Sequence, residues 1–193
     1  MRTLLLHSTL WHDCRDDGAA QIVEFALSLP LLVLFVVGIF DFSGALTLKQ
    51  KLTNAAREGA RVAAADPAND LGAPVGIPAS VSDAYQVVDN YLLSEKINDC
   101  GLAGKTPTQT AGTLKWTSPS LTGCPGGTGL TLTVDRGCLT SQGTGQNSID
   151  VVDTCVTILY PYVWRFTGVS GLLGGNFVPP VSITATAVAF NEN

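Results

Sequence analysis

Hydrophobic and polar positions are divided unevenly along this chain. From Phe25 to Phe40 (FALSLPLLVLFVVGIF) no position is charged, and lone carboxylates, Glu24 and Asp41, stand at the two ends. Helix-compatible residues run from Ile22 to Leu48, more than the roughly 20 needed to cross hydrocarbon about 30 Å thick. One membrane span is therefore predicted. The apolar run is longer than the core of a cleavable secretory signal and passes into Gly44-Ala45-Leu46 without an A-x-A-like exit, so the segment is expected to stay in the mature protein. Pro30 removes one backbone hydrogen bond, which membrane helices tolerate, and is read as a bend and not a break.

Helical character continues to Ala65 through an Ala-rich stretch, and Pro67 supplies the stop. A helix from Ala20 to Ala65 would be about 70 Å long and would protrude beyond the bilayer. Ala55, Ala56, Gly59 and Ala63 recur at three- and four-residue spacing, giving one face that another backbone can approach closely. Two compatible destinations are open for this face: a neighbouring helix in an assembly, or the chain's own C-terminal domain.

After a Pro- and Gly-bearing loop from Asp66 to Pro78, Val81, Ala84, Tyr85, Val88, Tyr91 and Leu92 fall at helical spacing. They predict an amphipathic second helix from Ser80 to Ile97, capped by Ser80 or Ser82. Beyond Cys100 the pattern turns to alternation in Thr113 to Thr117, Gly129 to Leu139, Ile149 to Tyr160 and Val181 to Phe190, separated by turn-forming residues. The expected fold class is α+β: a long N-terminal helix, then a second helix packed on an antiparallel sheet of three to four strands.

Length changes this picture little: 193 residues with 46% hydrophobic content accommodate one anchor helix and one small domain. The parts are residues 1–18 as a leader, 19–65 as span and stalk, and 66–193 as an outer domain. Net charge is −5, and beyond Val62 five Lys or Arg face ten Asp or Glu, which offers no electrostatic footprint for nucleic acid. Charge alone misleads about topology. Arg2 and Arg15 precede the span while Lys49, Lys51, Arg57 and Arg61 follow it, so the positive-inside rule would put the outer domain in the cytoplasm.

Cysteines oppose that reading. Cys100, Cys124, Cys138 and Cys155 form an even set suited to two bridges in an oxidising compartment, leaving Cys14 reduced in the leader. Four cysteines allow three pairings; proximity in sequence favours Cys100 with Cys124 and Cys138 with Cys155 and leaves the choice open. With no Cys-x-x-Cys pair, a zinc site is disfavoured and no metal is expected.

Chemistry is sparse. Both histidines, His7 and His12, precede the span, so the outer domain has none for a nucleophile–base pair. Asp150 and Asp153 are three apart on a predicted strand, hence on opposite faces, and read as solvated strand-end residues. Cys124-Pro125-Gly126-Gly127-Thr128-Gly129 lacks the Lys-Ser or Lys-Thr that completes a phosphate loop, so it is read as a turn and no nucleotide is expected. A loop from Tyr162 to Asn176 carries Trp164, Phe166, Leu172 and Leu173 and is expected to fold over the sheet or to offer an apolar patch. No catalytic residue, cofactor or enzymatic activity is predicted. Glu24 is the exception, because a carboxylate retained at the rim of hydrocarbon is costly and reads as a functional group seeking a partner, or else reaches headgroup water.

Gly18-Ala19-Ala20-Gln21-Ile22-Val23-Glu24-Phe25-Ala26-Leu27, Leu29-Pro30-Leu31-Leu32, Gly38-Ile39-Phe40-Asp41-Phe42 and Leu52-Thr53-Asn54-Ala55-Ala56-Arg57-Glu58-Gly59-Ala60-Arg61 together resemble the TadE-like family, minor pilins or pseudopilins of the tight-adherence (Flp, type IVc) pilus machinery of bacteria. The resemblance spans residues 18 to 65. It implies a pilin-like fold, a bacterial inner-membrane location with the N-terminus cytoplasmic, and an outer domain in the periplasm or on the assembled pilus. It also implies other pilin-like subunits, the assembly machinery and a prepilin peptidase as partners. In such proteins the peptidase cuts a leader, and a glutamate at the fifth mature position pairs with a neighbouring subunit's new amine. Glu24 would be that glutamate. Cutting after Gly18 makes it the sixth mature residue and cutting after Ala19 the fifth; both cuts, and no cut, stay open.

Independently of the resemblance, an amine and a carboxylate in a low-dielectric rim compensate each other, so their pairing can set the axial register between subunits. Two functions are expected on these grounds. One is a structural or assembly subunit of a tight-adherence pilus or related secretion machinery; the other is a membrane-anchored binding or adhesion module that does not enter a filament.

Overall fold

The computed structural model describes residues 17–67, 71, 76–119, 121–124, 129–143, 148–165 and 181–191. The leader histidines and Cys14, most of the Asp66–Pro78 loop, the glycine turn after Cys124 and the loop beyond Arg165 lie outside the described residues. The chain divides into two compact units, Met1–Phe42 with Arg165–Val178, and Ser43–Trp164 with Pro179–Asn193.

In chain order the described elements are α1 (Asp17–Ala65), α2 (Ala79–Ser94), β1 (Thr108–Gln109), β2 (Lys115–Thr117), β3 (Thr131–Gln142), β4 (Ile149–Pro161) and β5 (Ser182–Phe190). The class is α+β. The strands form one antiparallel sheet in the order β1-β2-β3-β4-β5, each paired with its sequence neighbour. Five strands replace the expected three to four because β1 is a polar dipeptide, Thr108 and Gln109, too short to show alternation. Pro30 sits inside α1 without interrupting it.

The second unit is organised around the faces that α1 and α2 bury. From α1 come Leu52, Ala55, Ala56, Ala60 and Ala63, and from α2 come Val81, Ala84, Tyr85, Val88 and Leu92. The sheet adds Trp116, Leu132, Val134, Val156, Ile158 and Ala185, so alternate residues of β3, β4 and β5 meet the helices. Burying side chains of this size stabilises a fold by about 1.5–3 kcal/mol each for the larger ones.

Two local expectations are corrected. Ser80 does not cap α2, and neither does Ser82: the cap position is Pro78, whose carbonyl accepts from the Val81 and Ser82 amides at 3.1 and 3.0 Å, with no side-chain cap bond. Ser80 is instead fully buried. The helix also stops at Ser94, short of Ile97. There Lys96 takes φ 57°, the Lys96 amide donates to Leu93 O at 3.1 Å and the Ile97 amide to Leu92 O at 2.8 Å, a Schellman ending.

A bulge shapes β3. Asp135 lies opposite Cys155, yet Cys138 lies opposite Asp153, so three steps on β3 match two on β4. The extra residue reverses the facing of the later part of the strand and brings Cys138 to the same face as Cys155. The two are joined in a disulfide with Cα atoms 5.9 Å apart, and Cys100 is joined to Cys124 with Cα atoms 4.6 Å apart.

Candidate functional site: the apolar helix and its anchorage

The N-terminal part of α1 is a helix without an interior. Ile22, Phe25, Leu27, Leu32, Phe35, Ile39 and Phe40 are all exposed, and an 18-residue window of mean hydropathy 2.5 is entirely unburied. A helix apolar on every side has no aqueous face, and this one is long and apolar enough to cross a membrane. Next to Pro30, the Ser28 hydroxyl donates to the Phe25 carbonyl at 3.1 Å, so this polar side chain is satisfied within its own helix.

Glu24 is the single charge between Asp17 and Asp41. It is exposed on this apolar cylinder and, among the described residues, has neither a hydrogen-bond nor an ion-pair partner. An unpaired carboxylate on such a surface can accept from an amine brought by another chain. Gly18, one of the two candidate cut-site residues, is exposed in the first turns of α1, and Ala19 follows it in the helix.

Beyond Ser43 the same helix is anchored. Ala55, Ala56, Gly59 and Ala63 all face inward, and the structure describes the nearer of their two destinations, the chain's own domain. The fit at Gly59 is close: a Cβ built there would stand 2.7 Å from Val88 Cγ2 of α2. Lys51 pairs with Glu95 at 3.0 Å near the end of α2, a half-exposed contact of small energetic weight.

The last turn of α1 carries no basic residue of its own. Arg136 of β3, 1% exposed, takes that place: it donates to the Ala63 carbonyl, to Asp66 O at 3.0 Å and to Thr154 Oγ1 at 3.1 Å. A guanidinium against terminal carbonyls satisfies groups that the helix leaves unbonded and complements its dipole. Along the sequence Arg136 registered only as charge, and its role was missed. The available signal was a lone arginine in a strand whose other inward positions, Leu132 and Val134, are apolar.

Asp150 and Asp153 are not brought together. Asp150 is exposed and accepts from Ser141 at 2.6 Å. Asp153, expected to be solvated, is fully buried and accepts from the Thr140 hydroxyl. The reason is register: it lies opposite Cys138 on one side and Phe190 on the other, in mid-sheet and not at a strand end. No group of three or more His, Cys, Asp or Glu among the described residues is arranged to hold a metal ion. Tyr162 and Trp164 pack on the core in a T-shaped, edge-to-face contact, with ring centroids 4.9 Å apart and an interplanar angle of 77°.

Residues 19–61 match the family model described as TadE-like protein, so the chain carries a TadE-like segment that covers the apolar part of α1 and most of its anchored part. No curated protein and no solved structure matches the chain.

Proposed function

We propose that this chain, TadE-like through residues 19–61, is a minor pilin or pseudopilin: a structural or assembly subunit of a tight-adherence pilus or a related secretion machinery. The observation that carries the reading is the coincidence of the TadE-like segment with an apolar helix whose exposed Glu24 carboxylate has no partner among the described residues. On this reading α1 is held in a bacterial inner membrane as a single span, with the leader cytoplasmic and the disulfide-bonded domain outside. Glu24 pairs with the N-terminal amine of a neighbouring subunit, after cleavage next to Gly18 or Ala19. The bond sets register more than stability, because desolvating both charges offsets much of their attraction.

The test is the mass and N-terminal sequence of the protein recovered from its native membrane, with the abundance of Glu24→Ala in pilus fractions. A start at Ala19 or Ala20, and loss of Glu24→Ala from those fractions, are expected. An intact Met1 with an indifferent Glu24→Ala variant would replace this reading by a static anchor carrying a binding domain.

A further inference from the structure

The second unit does not sit at the tip of a bare stalk, because β4 runs along α1 toward the N-terminal end of that helix. A Cβ built at Gly59 would stand 3.6 Å from Val156 Cγ1, and one built at Gly44 would stand 3.2 Å from the Tyr162 hydroxyl. The two paths match in length: Val156 to Tyr162 covers about 20 Å of strand, and Gly59 to Gly44 about 22 Å of helix. The unit therefore follows α1 down to Gly44, just beyond the exposed Phe40 and Phe42.

This end of the unit is apolar and aromatic. Val163 and Val181 are 55% and 64% exposed, and Leu46 of α1 is 48% exposed. The Tyr162 amide donates to Val181 O at 3.0 Å, which ties the chain leaving β4 to the chain entering β5. Tyr162 and Trp164, partly buried, form the T-shaped pair that packs on the core. From Thr154 to Phe190 the sequence holds one charge, Arg165, and it is basic. Tyr and Trp concentrate where membrane meets water, since each joins an apolar ring to a polar handle. A segment without acidic residues is not repelled by anionic lipid.

We propose that this end of the second unit, formed by Leu46, Tyr162, Val163, Trp164 and Val181, is embedded in the interfacial layer of a phospholipid bilayer. Continuity selects lipid as the occupant, because the surface adjoins the point where α1 leaves its exposed apolar part. The inference rests on the reading of that part as a membrane span, and adds that the folded unit lies on the membrane and is not raised above it. Val163, Val181 and Leu46 bury apolar area at the headgroup boundary, and the two rings sit at headgroup level. A second point of contact beside the helix restrains the tilt of the span.

The test is nuclear magnetic resonance of the full isotope-labelled chain in phospholipid nanodiscs holding one chain each. A paramagnetic label is carried either on the lipid acyl chain near the headgroup or on a soluble chelate, and Trp164→Phe assigns the indole signal. With labelled lipid, loss of the Trp164 indole signal and of the Val163 and Val181 amide signals is expected, while Ser141, at the opposite end of the β3–β4 pair, keeps its own. The soluble chelate should do the reverse. Val163→Asp, an exposed change that leaves the fold intact, should bring the Trp164 indole signal back in labelled lipid. The Leu32 and Phe35 amides report the span separately. Their loss, with the Trp164, Val163 and Val181 signals retained, would overturn this inference and leave the span; retention of all five would overturn the span and this inference with it. Val163 and Val181 signals that resist labelled lipid but shift when several chains share a disc would overturn it in favour of a neighbouring copy.

Discussion

Arg136 on β3 donates to the carbonyl of Ala63, seventy-three residues earlier in the chain and two residues from the end of α1. One buried guanidinium therefore joins the end of the long helix to the centre of the sheet, and it also reaches Asp66 O at 3.0 Å. Replacing it by Met keeps much of the volume but strands the carbonyls it serves, each costing about 1–3 kcal/mol when buried and unsatisfied. Arg136→Met should lower the stability of the second unit by about 3 kcal/mol or more in a denaturant melt. Arg136→Lys, with charge but no fork, should recover only part of this.

Gly59 decides how close α1 approaches α2. Alanine is the better helix former by about 1 kcal/mol, yet its Cβ would stand 2.7 Å from Val88 Cγ2, on a short branched side chain with little room to yield. Overpacking of this kind costs about 1–3 kcal/mol, so it outweighs the propensity gain. Gly59→Ala should melt earlier, and Gly59→Ala combined with Val88→Ala should restore much of the loss.

Tyr85 confers a pH dependence on the fold. Its hydroxyl donates to Leu132 O at 2.7 Å inside the core, and burial raises its ionisation well above the ordinary value of 10.0. The native state holds this proton more tightly than the unfolded chain, so the stabilisation is complete below pH about 10 and is lost as pH rises beyond it. Tyr160, also raised, acts in the same sense. Stability measured in urea should fall above pH about 10, and Tyr85→Phe should flatten the slope while costing stability at neutral pH.

The disulfides close loops of similar size, with sequence separations of 24 and 17. Loop-closure entropy assigns each about 3 kcal/mol. Cys138→Ala with Cys155→Ala, and Cys100→Ala with Cys124→Ala, should each destabilise the domain by about that amount. Mass spectrometry of the alkylated, unreduced protein should find Cys100, Cys124, Cys138 and Cys155 protected.

Much of the fold was legible along the chain because its signals are local. The uncharged run from Phe25 to Phe40 marks a helix apolar and long enough to cross a membrane by composition alone, and Val81, Ala84, Tyr85, Val88 and Leu92 mark one face of α2 by period. Glu24 stood out because a lone charge beside an apolar run needs no partner in the sequence to be conspicuous. The four long alternating stretches found their strands, whereas the polar pair Thr108 and Gln109 has only the β2 edge to make it one.

Other features were decided by tertiary structure, since they depend on residues far apart in sequence. The bulge between Asp135 and Cys138 is a matter of pairing with β4, and it alone turns Cys138 toward Cys155. Asp153 is buried because β3 and β5 both flank it. Ser80 went into the core and not to a cap because α2 already begins at Ala79, with Pro78 in the cap position. Arg136 became the anchor of α1 only when the sheet carried it beneath Ala63. Composition and period determine which side chains prefer water, hydrocarbon or a helix; which of them meet is set by strand register and helix packing, whose free energies belong to pairs of distant residues.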